Sequence, residues 1–188
     1  MTRRAKLRLV LVYTVYLLLA FALQSLWSQD TLFLGAKPNF LLLLAVLAGY
    51  QFGYNDAIVI GLLAGFLLDF ASGRVIGVGM LSLMLAALIA SRLFQKNFTR
   101  SILPAIVTSA LCTLFYELMV HLALAMNLLF NDLPLALINI DLLMTRSLAS
   151  ILINIIVLLP MFILLRFFGP YRRSYGAKRV DVDRRARR

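Results

Sequence analysis

Residues 61–81 read GLLAGFLLDFASGRVIGVGML. Ala57, Gly61, Gly65 and Asp69 fall four apart, so on a helix they share one face. A face of small residues lets a second helix approach closely. A carboxylate is costly in hydrocarbon, so Asp69 is expected to look toward protein or a polar turn rather than lipid. Ser72, Gly73, Gly77 and Gly79 follow, and the stretch reads as a packed membrane helix that ends in a polar turn. Asp69 has three open uses: accepting hydrogen bonds from Ser72, Gly73 or Arg74 in its own turn, meeting a partner protein, or contacting a small ligand or ion. Downstream, Gly79, Ser82, Ala86 and Ala90 line one side of the next helix. The two small-residue seams are expected to pack against each other.

The rest of the chain supports this reading. Its 188 residues are 62% hydrophobic, against about 45–50% for soluble domains. The excess lies in long uncharged runs without the alternation of a membrane barrel. An all-α integral membrane protein of six helices is expected. The helices run from about Leu7 to Trp27, Pro38 to Phe52, Asn55 to Phe70, Val78 to Phe94, Ser101 to Asn127 and Pro134 to Phe168. A full span takes roughly 20 residues. The second and third are shorter, and a re-entrant pair stays open for them. The sixth is longer, with Pro160 as a candidate kink. The first follows a basic N-terminus but is too long for a typical signal peptide and lacks a small-x-small cleavage site. It is read as a retained span.

Of the 19 lysines and arginines, 16 fall on one side of a six-span layout. Lys37 and Arg74 fall on the other, and Arg146 lies within a span. The positive-inside rule then places both termini in the cytoplasm. Residues 1–170 form the six-helix domain, and 171–188 form a basic tail with almost no apolar residues, expected to be disordered. The tail, including Arg172 and Arg173, and the loop residues Arg92, Lys96 and Arg100 would meet anionic lipid or an acidic cytoplasmic partner. Nucleic acid is a poor fit, because no aromatic platform interleaves the charges.

Inside the spans, Ser109, Thr113, Glu117 and His121 form one stripe on the fifth helix. Arg146, Ser150 and Asn154 form another on the sixth. The two helices are antiparallel neighbours. Glu117 and Arg146 each lie about ten residues from the outer end of their helix, which predicts a buried Glu117–Arg146 ion pair. An unpaired charge at that depth is expensive, and each charge lowers the cost of the other. The pair would fix helix register; a proton relay through Glu117 and His121, or a polar patch for a partner, are the other uses. Gln24, Ser28 and Gln51 read as isolated hydrogen-bonded or interfacial residues. Cys112 reads as a buried small residue. His121 is the only histidine, so no histidine cluster is available for a metal. No phosphate loop or nucleophile motif appears, so no catalytic, cofactor or metal residue is assigned and no enzyme is expected.

The region 38–83 resembles the rod shape-determining protein MreD family. The resemblance rests on Pro38-Asn39 opening a leucine-rich helix, on the Gly-x3-Gly-Phe-x2-Asp-x2-Ser-Gly-x3-Gly block from Gly61 to Gly77, and on the small-residue helix from Met80. Where that family often has an acidic residue after the proline, this chain has Asn39. The resemblance implies a non-enzymatic scaffold of the bacterial elongasome in the cytoplasmic membrane. It would bind the single-span protein MreC and act with MreB, RodA and a class B penicillin-binding transpeptidase in side-wall peptidoglycan synthesis. The implied fold is like the substrate-binding subunit of energy-coupling-factor transporters. On this reading Gly61, Gly65, Asp69, Ser72, Gly73 and Gly77 are the partner-binding residues. The alternative is a solute-binding transport subunit, with Trp27, Asp69, Tyr116, Glu117 and His121 as candidate lining residues of an outer pocket.

Overall fold

The computed structural model describes residues 3–27, 36–72, 77–93, 101–131, 134 and 140–170. The expected loop residues Gly73, Lys96 and Arg100, and the tail with Arg172 and Arg173, lie outside them. The described residues form six helices: α1 (Arg3–Leu26), α2 (Phe40–Phe52), α3 (Tyr54–Ser72), α4 (Val78–Leu93), α5 (Ile102–Phe130) and α6 (Ile140–Phe168). Four of them, α1, α3, α5 and α6, are long and apolar enough to cross a membrane; α2 and α4 are shorter. The expected boundaries shift at several helices: α1 starts at Arg3 rather than Leu7, and α5 runs on to Phe130 rather than Asn127. Proline 38 lies outside α2, α3 runs to 19 residues and is long enough to cross, and the described part of the last helix starts at Ile140.

Helix α2 is the centre of the fold. Every residue from Phe40 to Tyr50 is buried, and α1, α3, α4, α5 and α6 all touch it. A helix that is apolar all round suits a position enclosed on every side. Its 13 residues cover only ~20 Å at 1.5 Å per residue.

Helices α2, α3 and α4 meet through their smallest residues. A Cβ added at Gly61 would lie 2.7 Å from the Cα of Met84. One added at Gly65 would strike the backbone at Gly79 and Met80, and one at Gly49 would strike the carbonyl of Ala87. Ala57, Ala64, Ala86, Ala87 and Ala90 fill the same seams, fully buried. The two small-residue faces therefore do pack on each other.

Contacts at one end of the bundle, here the lower end, show how the helices run. Tyr16 donates from its hydroxyl to the Leu164 carbonyl at 3.2 Å. Tyr50 donates to the Ser101 carbonyl at 2.9 Å. The Arg92 guanidinium lies 5.5 Å from the Tyr54 ring centroid, and Gly169 packs on Phe52. Helix α1 begins and α6 finishes at this end. At the other, upper end, α5 and α6 continue past the rest. Buried residues of α5 stop at Tyr116, and those of α6 start at Ala149.

Candidate functional site

The first four N–H groups of a helix have no partner within it. In hydrocarbon no water can serve them, and each left unsatisfied costs several kcal/mol. Two such helix starts, those of α2 and α4, lie at the upper end of this fold. The polar residues of the chain converge on them.

At the start of α2, Asn39 is the N-cap: its side-chain oxygen accepts from the Leu42 N–H at 3.0 Å. The Phe40 N–H donates to Gln24 Oε1 of α1 at 2.9 Å. The Asn39 N–H donates to Asn154 Oδ1 of α6 at 2.8 Å. Asn154 in turn donates from Nδ2 to the Thr113 hydroxyl of α5 at 3.2 Å. Side chains from α1, α2, α5 and α6 thus close one buried network. Asparagine is a strong N-cap because its oxygen reaches back to the third N–H of the helix. Asn39 before a leucine run carries that signal in the sequence, whereas lone Gln24 carries none.

At the start of α4, one carboxylate serves three donors. Asp69 Oδ2 accepts from the Gly77 N–H at 2.8 Å and the Met80 N–H at 3.3 Å, and Oδ1 accepts from the Gly79 N–H at 2.8 Å. Gly77 has φ +123, a backbone region that favours glycine. A Cβ on Gly79 would collide with the carboxylate. Asp69 is 3% exposed. The carboxylate also sits at the positive end of the α4 dipole, worth up to about 2 kcal/mol when partly buried. Asp69 therefore does act as a capping carboxylate, and the helix it caps is the neighbouring α4; Gly73 and Arg74 of its own turn lie outside the described residues. The cause is the small-residue face, which points the last turn of α3 straight at α4.

The residues expected to bind a partner differ in how far the fold encloses them. Gly61 and Gly65 lie against α4 backbone, and Asp69 is enclosed by it, so these three are engaged within the chain. Ser72 is exposed at the end of α3, and Gly77 is half-buried. The residues suggested for a solute pocket attach to different elements. Asp69 holds α4, Glu117 meets α6, and Trp27 packs on Phe40 with ring centroids 6.0 Å apart. Among the described residues no group of three or more His, Cys, Asp or Glu could hold a metal.

The stripes on α5 and α6 do face each other, but one turn away from the expected register. The Ser150 hydroxyl donates to Glu117 Oε1 at 2.9 Å. With the Asn154–Thr113 bond, this makes two rungs of a ladder. The next rung up sets Arg146 opposite His121, and the next rung down sets Leu158 opposite Ser109. Ser109 is accordingly buried with an unpartnered hydroxyl. The expected Glu117–Arg146 pair is not among the contacts of the described residues, and Arg146 is exposed. The register follows from Asn154, whose bond to the Asn39 N–H pins α6 to the start of α2.

A family model described as rod shape-determining protein MreD matches residues 3–168. No curated protein and no solved structure matches the chain. The matched stretch takes in both capped helix starts and the whole α5–α6 ladder, and the chain belongs to the MreD family of rod shape-determining proteins.

Proposed function

We propose that this protein is a non-enzymatic scaffold of the elongasome in the bacterial cytoplasmic membrane. It binds MreC and supports side-wall peptidoglycan synthesis together with MreB, RodA and a class B penicillin-binding transpeptidase. The observation that carries this reading is membership of a rod shape-determining family over residues 3–168. The way its polar groups are used supports it. Gln24, Asn39, Asp69, Thr113 and Asn154 hold helix ends and helix pairs together, as a rigid platform requires. On this reading the lower end, with Arg92, faces the cytoplasm. The upper end faces outward, and the six-helix plan is that of the substrate-binding subunit of energy-coupling-factor transporters.

Affinity purification of the tagged chain from its native membrane, followed by mass spectrometry, tests the reading. The expected result is recovery of single-span MreC together with the wall synthases. Recovery instead of two ATPases with a transmembrane coupling protein would replace the scaffold by a transport subunit.

A further inference from the structure

Helix α6 carries its own ruler. Arg146 and Arg166 bound a run, Ser147–Leu165, that contains no charged residue. At 1.5 Å per residue it covers ~28 Å, close to the ~30 Å of a bilayer hydrocarbon core. Arg166 lies at the lower end, between Leu164, which meets Tyr16, and Gly169, which packs on Phe52, so Arg146 marks the upper boundary. The α5–α6 ladder sets His121 at the same height. Of the described residues above these two, Leu122–Phe130 of α5 rises ~13 Å and 140–145 of α6 ~9 Å beyond the apolar slab.

That projecting end is apolar and, among the described residues, uncovered. Phe130 is 81% exposed, Leu142 68% and Met144 66%; Leu122, Met126 and Leu129 are each at least half exposed. A contiguous apolar surface outside the hydrocarbon marks an interaction site. With the slab bounded by Arg146 and Arg166, lipid tails do not reach it. At its base stands Arg146, exposed, with no carboxylate partner among the described residues, because Glu117 is held by Ser150 one turn below.

We propose that the projecting end of α5 and α6 is the docking surface for one helix of a membrane-anchored partner. That helix continues past the outer membrane boundary as an apolar helix, and it carries a carboxylate at the boundary that pairs with Arg146. Length and charge together select this occupant. A lipid phosphate satisfies Arg146 but leaves the projecting leucines, methionines and Phe130 in water. A helix that runs alongside α5 and α6 covers both. The inference rests on the scaffold reading, which supplies a single-span partner.

The test co-expresses the full-length chain with MreC from the same genome and measures recovery of the complex in lipid nanodiscs. Arg146→Glu is expected to reduce recovery ~10-fold or more, the usual scale for breaking one side of a desolvated charge pair. Changing the acidic residue at the outer boundary of the MreC span to Lys is expected to restore it. The double variant Leu129→Ser/Phe130→Ser is expected to reduce recovery while the chain stays monodisperse, since both side chains are exposed. Leu11→Ser, exposed on α1, is expected to change nothing. A photo-crosslinking residue at Met126 or Leu142 is expected to attach to MreC. If the unaltered chain recovers MreC, and Arg146→Glu and the double variant recover it equally well, the docking surface is wrong and the scaffold reading stands. Crosslinks to lipid alone also overturn the docking surface. If the unaltered chain fails to recover MreC, both readings fall.

Discussion

Helix α2 reads FLLLLAVLAGYQF, and the upper part of α5, residues 118–130, reads LMVHLALAMNLLF. The two are equally long and similarly rich in leucine. The first is buried from Phe40 to Tyr50, while the second has no buried residue. In water, composition alone would send both inside. Within the hydrocarbon, where α2 lies, composition drives no enclosure, because lipid tails are as apolar as leucine; the upper part of α5 rises above it. Enclosure is decided by short side chains that admit a neighbouring backbone and by polar groups that need partners. Helix α2 has Gly49 against Ala87 and a start held by Gln24, Asn39 and Asn154. The upper part of α5 has neither; its own polar contact, from Asn131 Nδ2 to Asn127, stays within the end of the helix, and its contact with α6, Glu117–Ser150, lies just below it.

This contrast is open to direct attack. The largest effect is expected from Gly65→Leu, which drives a side chain into the backbone at Gly79 and Met80. A cost of roughly 3 kcal/mol or more follows from overpacking against atoms that cannot give way. Loss of a monodisperse peak in size-exclusion chromatography is the readout; a chain that stays intact would mean α3 and α4 can separate. Asp69→Asn comes next. It replaces one acceptor oxygen with a donor that faces backbone N–H groups, at about 2–3 kcal/mol. The unfolding midpoint in a denaturant titration should fall, and an unchanged midpoint would show that the α4 start has another source of acceptors.

Asn154→Leu should cost about 1–3 kcal/mol, because it strands the Asn39 N–H in the core. The matched change at the upper end, Arg146→Leu, should stay within about 0.5 kcal/mol, as for surface sites away from packed features. Equal losses at the two positions would erase the distinction between enclosed and projecting regions. The smallest effect concerns register. A double-mutant cycle on Glu117→Gln and Ser150→Ala should give a coupling of about 1 kcal/mol, and one on Glu117→Gln and Arg146→Ala close to none. The reverse result would return the ladder to the register expected from the sequence.

Much of the fold was legible beforehand, and the reasons are local. Uncharged runs of the right length mark membrane helices. The four-residue spacing of Ala57, Gly61, Gly65 and Asp69 marks a packing face. The stripes Ser109–His121 and Arg146–Asn154 mark faces that meet. At Asp69 the chemistry, a capping carboxylate, was readable, but its target was not, because nothing within one turn of sequence points to Gly77, Gly79 and Met80. Gln24 could not be linked to the start of α2 for the same reason.

The sequence by itself determined the helical class, the membrane setting, the small-residue faces and the presence of polar stripes. These follow from hydropathy and from a periodicity of 3.6 residues. Only the tertiary structure decided heights. A stripe repeats every turn, so it specifies which face of a helix looks inward but not which residue stands opposite which. The height of α6 is set by the buried Asn39 N–H that binds Asn154, and that of α4 by glycines that admit its backbone at Met80 and Met84. Those two constraints move Glu117 from Arg146 to Ser150 and leave Arg146 exposed, with no carboxylate partner among the described residues.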